Sequence, residues 1–67
     1  MKQLNAEEYP EELGELIKKY NLKMSKLYEE NPEFAIKRIE VDSKAFKDSK
    51  LSIAVRKMMI ETILELV

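Results

Sequence analysis

Cysteine, histidine and tryptophan are all missing from this 67-residue sequence, and glycine occurs once. Each absence removes a class of chemistry. Without thiols there is no disulfide framework, and without thiolate or imidazole donors the usual zinc, haem and iron–sulfur ligand sets cannot be assembled. The same gaps exclude the Ser-His-Asp and Cys-His arrangements that activate a nucleophile. Gly14 alone cannot form a glycine-rich phosphate loop. The expectation is a non-enzymatic chain with no cofactor and no metal. Long hydrophobic runs are absent too. The longest, such as Met58-Met59-Ile60, hold three residues, against the roughly 20 that cross a bilayer. The segment Met1-Lys2-Gln3-Leu4-Asn5-Ala6-Glu7-Glu8 turns acidic where a secretory signal needs its apolar stretch. Together with the lack of cysteine, this points to a cytoplasmic protein with no membrane contact.

What the chain does contain is helix-forming. Hydrophobic residues make up 45% and charged residues 37%, with a net charge of -1, a balance typical of globular helical proteins rather than disordered ones. The length allows a single domain, 1–67. A chain this short buries only about 60% of its unfolded surface and commonly draws extra stability from disulfides, a metal or a partner. With the first two unavailable, association is the remaining route.

Both prolines are followed by acid. In Pro10-Glu11-Glu12-Leu13 the ring suits a first helical position and the carboxylates meet the positive end of the helix dipole. Asn31-Pro32-Glu33-Phe34 repeats this pattern with an N-cap in front. From 10 to 30, residues Leu13, Leu16, Ile17, Tyr20, Met24, Leu27 and Tyr28 fall within an arc of roughly 120°, which makes one amphipathic helix. Its seam of Leu13, Ile17, Tyr20, Met24 and Leu27 is expected to be core. The tyrosines Tyr9, Tyr20 and Tyr28 are expected at helix edges, with ring packed and hydroxyl wet. A second helix is predicted over 32–41, stopping where Asp42, Ser43, Asp48 and Ser49 compete for backbone N–H groups. Beyond 41 the readings are a loop, a short helical turn or a kinked continuation. A third helix is predicted over 50–67, capped by Ser49.

This last helix is apolar on two sides. Leu51, Ala54, Val55, Met58, Met59, Ile63 and Leu66 form a broad face that suits the intramolecular core. Ile53, Ile60, Leu64 and Val67 form a second stripe, with Arg56 isolated between them. Two apolar faces imply two partners, so the second stripe is expected to be a self-association interface. The predicted architecture is therefore an all-α three-helix bundle completed by homodimerisation.

Candidate chemistry is sparse. Glu7, Glu8, Glu11, Glu12 and Glu15 are the densest polar cluster, and Glu11 with Glu15 lies at a spacing that can present two carboxylates to a cation. Acids at a helix start are expected without any ligand. Lys44, Lys47, Lys50, Ser52, Arg56 and Lys57 surround the start of the third helix, where Ala45, Ser49 and Val55 match helix-turn-helix intervals in part over 42–60. Along the chain the charge alternates in blocks, acidic, basic, acidic, basic, acidic. Such blocks either pair between helices or chains, or form ordinary solvated faces. The reading is a helical protein–protein interaction module that self-associates and docks a larger protein or assembly. A small DNA-binding regulator is the alternative, with nucleic acid the weaker partner reading.

Overall fold

The computed structural model describes residues 3–67. Helix α1 spans Gly14–Glu30, α2 spans Pro32–Lys47 and α3 spans Ile53–Leu66, and the described residues include no strand. Two 3-10 turns, Ala6–Glu8 and Glu11–Leu13, precede α1. Pro10 is not the first helical residue but stands just outside the second turn in extended geometry (φ -53°, ψ 141°).

Asn31 alone separates α1 from α2. Lying before Pro32, it is pushed out of helical geometry, and its side chain accepts from the Phe34 N–H while its own N–H donates to Leu27 O at 2.7 Å. So tight a reversal lays α2 antiparallel along α1. Residues 48–52 reverse the chain again and α3 runs back beside α1, with Lys23 of α1 donating to Val67 O. The α1 helix packs broadly on both neighbours, whereas α2 and α3 come close at only a few positions.

The seam expected of the first helix is the core. Leu13, Ile17, Tyr20 and Met24 are fully buried, with Leu27 half-buried beside them. Phe46 and Ile60 close the centre, and the Tyr20 and Phe46 rings meet edge to face at 5.3 Å. An N-terminal arm, residues 3–9, lies across α1. The Leu4 N–H donates to Asn21 Oδ1 and Asn21 Nδ2 donates to Leu4 O, so one amide side chain pairs with both backbone groups of a buried residue.

The second helix runs six residues past its predicted end at 41, unbroken to Lys47. The polar residues expected to stop it have partners elsewhere. Asp42 is held by Arg38 and Tyr20, and the Ser43 hydroxyl donates back to Glu40 O at 3.1 Å. Neither competes for the N–H groups ahead of it. The third helix begins later than predicted, because Asp48 to Leu51 forms a turn in which Asp48 accepts from the Lys50 and Leu51 N–H groups. Its cap is Ser52, which accepts from the Val55 N–H at 3.1 Å, rather than Ser49.

Candidate functional site

The largest departure from the sequence reading concerns the faces of α3. Ile60, expected at an intermolecular interface, is fully buried at the centre of the chain's own core. Ile53, Leu64 and Val67 pack against the same core. The face assigned to that core stands largely outside it. Val55 is 43% exposed, Met58 67% and Leu66 79%; Ala54 is exposed too, while Met59 and Ile63 turn inward. The stripe expected outside lies inside, and the face expected inside is split. Counting about 100° per residue, Glu61, Thr62 and Glu65 fall among Met58 and Leu66. Turning that side inward would bury two carboxylates without partners. The opposite side carries Arg56 as its only charge near the centre, and a single guanidinium is easier to satisfy.

Arg56 is 8% exposed, and its Nη1 donates to Phe46 O at 3.3 Å. This carbonyl belongs to the last turn of α2, where carbonyls lack helical partners and carry the negative end of the dipole. The guanidinium thus fastens α3 to the end of α2 and is not presented to solvent. The remaining members of the basic set are dispersed. Lys47 donates to Glu8 Oε2 at 2.9 Å and sits 5.2 Å above the Tyr9 ring. Its hydrogen bond with Glu8 holds the ammonium above the usual lysine range. Lys44 lies exposed on α2, Lys50 is exposed in the turn, Ser52 caps α3 and Lys57 is half-buried. No single surface carries the six.

A buried polar group that sequence spacing did not single out sits between α1 and α2. Tyr20, expected at an edge with its hydroxyl in water, is fully buried and donates to Asp42 Oδ2 at 2.7 Å. Arg38 Nε donates to the same oxygen at 2.8 Å and its Nη2 to Oδ1 at 2.6 Å. Burial, and then the hydrogen bond to Asp42, push the Tyr20 hydroxyl far above the usual phenol range. Arg38's own hydrogen bonds to Asp42 hold its guanidinium above the usual range. The i, i+4 spacing of Arg38 and Asp42 is a local signal, but Tyr20 joins them only through the antiparallel fold. Every donor aimed at Asp42 is used within the chain, and among the described residues no buried side-chain polar atom lacks a partner. The cluster is a fastener rather than a ligand site.

The acidic residues do not converge. Glu11 lies in a 3-10 turn, Glu15 is exposed and pairs with Lys18 at 3.6 Å, and the described residues hold no cluster of three or more metal-ligating side chains. A cleft of about 290 Å³ between the N-terminal arm and α2 is lined by Leu4, Tyr9, Ile39 and Ser43 and by the Glu8–Lys47 pair. Among the described residues no helix is long and apolar enough to cross a membrane.

No protein-family model matches the chain, and neither the curated proteins nor the solved structures give a match. The surface itself is the guide to function. Its most distinctive feature is the outer side of α3, joined across the α2–α3 seam by Phe34 and Val41, 47% and 61% exposed. Seven residues apart, these share one flank of α2, opposite the flank that borders the N-terminal arm. Thr62 does not interrupt the strip, because its hydroxyl donates to Met58 O at 2.8 Å and is spent on the helix backbone.

Proposed function

We propose that this protein is a helical protein–protein interaction module that self-associates and so presents a docking unit to a larger protein or assembly. The observation that carries the reading is the outer strip of Val55, Met58 and Leu66, exposed although the chain's core is filled without it. Isolated apolar side chains on a surface are ordinary, as Leu22 is on the far side of α1, but a run along one helix side with neighbours on the next helix is the pattern of an interaction surface. The small size of the domain favours the same conclusion, since a second copy adds buried area that one chain lacks.

Sedimentation equilibrium of the intact 7.9 kDa chain tests it. Two chains per particle at micromolar concentration are expected, with a melting temperature that rises with concentration. Met58→Glu places a charge in the centre of the strip and is expected to give particles of one chain that keep their helicity, with a melting temperature independent of concentration. A wild-type mass of one chain across the micromolar range would remove the reading.

A further inference from the structure

Resting on the self-association just proposed, we infer that the occupant of the α2–α3 seam is a second copy of this chain, related by a two-fold axis parallel to the helices, so that α2 of each protomer lies against α3 of the other. Charge distinguishes this arrangement from its alternative. On α2, Phe34, Lys37, Val41 and Lys44 follow one another along a single outer strip at steps of three and four. Two acids stand on the adjoining strip, Glu33 in the first turn of α2 and Glu40, which borders the cleft of the N-terminal arm. On α3, Met58, Glu65 and Leu66 lie on the outer side, with Glu61 at its far edge one turn beyond the half-buried Lys57, and residues 58–67 contain no basic side chain. Lys37, Lys44, Glu61 and Glu65 are all exposed, and none takes part in the ion pairs found among the described residues. The outer strip of α2 is therefore apolar and basic between its flanking acids, and the outer strip of α3 beyond Lys57 is apolar and acidic.

A surface with two such halves meets its own copy in one of two symmetric ways. An axis perpendicular to the helices sets α2 on α2 and α3 on α3, lysine facing lysine and glutamate facing glutamate. An axis parallel to them sets basic α2 on acidic α3 at both contacts. Like charges opposed across an interface are strongly disfavoured, so the parallel axis is selected. Register agrees. Within the chain Arg56 stands beside Phe46, and counting about 1.5 Å per residue along the antiparallel helices brings Lys37 level with Glu65 and Lys44 within about one turn of Glu61. The parallel axis keeps these levels between protomers. Facing helices are antiparallel, and Phe34 of one copy comes beside Leu66 of the other. The assembly is a four-helix layer of α2 and α3 from both copies, with an α1 on each outer side.

Charge reversal tests this arrangement separately from self-association. Lys37→Glu with Lys44→Glu makes both halves acidic, and Glu61→Lys with Glu65→Lys makes both basic. Each double variant alone is expected to dimerise about tenfold or more weakly than wild type at low salt. An equimolar mixture of the two should dimerise like wild type, and so should a chain carrying all four changes. Circular dichroism, expected to match wild type because all four positions are exposed, guards against misfolding. Double variants that keep wild-type affinity would overturn the arrangement while leaving self-association intact. So would weakened variants that neither the mixture nor the fourfold change restores. A wild-type chain that stays monomeric overturns both.

Discussion

On the inner side of α3, Ile53, Ile60, Ile63 and Leu64 meet the core, and Ile60 is sealed from solvent. On the outer side Val55, Met58 and Leu66 are comparably apolar and remain bare. Total hydrophobicity does not separate the two. What separates them is the company each keeps. The inner side brings Arg56, which the end of α2 can satisfy through Phe46 O, whereas the outer side brings Glu61 and Glu65, for which the bundle interior offers no cation. A buried unpaired carboxylate costs several kcal/mol or must take up a proton. In a helix apolar all round, the polar minority chooses the orientation.

The contrast is broken most severely at Ile60. Ile60→Glu puts a carboxylate at a site with no solvent access. The expected penalty of several kcal/mol is comparable to the whole stability of a small domain, roughly 5–15 kcal/mol. Loss of the cooperative thermal transition is expected, where Met58→Glu two residues away keeps it. An Ile60→Glu protein with wild-type melting would mean that the two sides of α3 are interchangeable.

A smaller effect sharpens the comparison on the α1–α2 side, where polar groups rather than an apolar side chain fill the interior. Tyr20→Phe removes one donor to Asp42 and is expected to cost about 1.5–3 kcal/mol in urea melts near pH 8. The variant also changes the alkaline limb. The folded-state pKa of Tyr20 is raised above its ordinary value of 10.0. Its contribution is therefore complete below pH 10 and is lost as the pH rises further, because the unfolded chain ionises first. Tyr20→Phe should fall less steeply above pH 10 than wild type. A residual slope is expected from Tyr9, raised by burial, and from Lys47, raised by its bond to Glu8. Equal slopes in the two proteins would take Tyr20 out of the buried cluster.

The smallest effect concerns where α3 starts. Ser52→Ala removes the cap on Val55 and should cost about 1 kcal/mol. Ser49→Ala, in the preceding turn, should stay within about 0.5 kcal/mol. The reverse order would restore the earlier helix start.

Much of the bundle was legible because the rules involved are local. The cap at Asn31, the helix from Pro32 and the buried run of Leu13, Ile17, Tyr20 and Met24 follow from neighbours three and four residues apart. The end of α2 was misread for the opposite reason. Asp42 favours helix termination when its carboxylate is free, and it is not free, since a tyrosine 22 residues away donates to it. The pairing of Leu4 with Asn21 likewise had no short-range signal. At the candidate surface, the two-sided character of the third helix was readable. So was the clue to its orientation, the placement of Glu61, Thr62 and Glu65 beside Met58, whereas apolar content does not rank the two sides.

By itself, then, the amino-acid order determined an all-α chain, the helix start at Pro32 and the inward stripe of its first helix, because period and capping are settled within one or two turns. Only the tertiary structure decided how far α2 runs, which serine caps α3 and which side of α3 remains outside. Each of these depends on whether a charged or hydroxyl-bearing side chain finds a partner on another helix, and that is a matter of distance in space rather than along the chain.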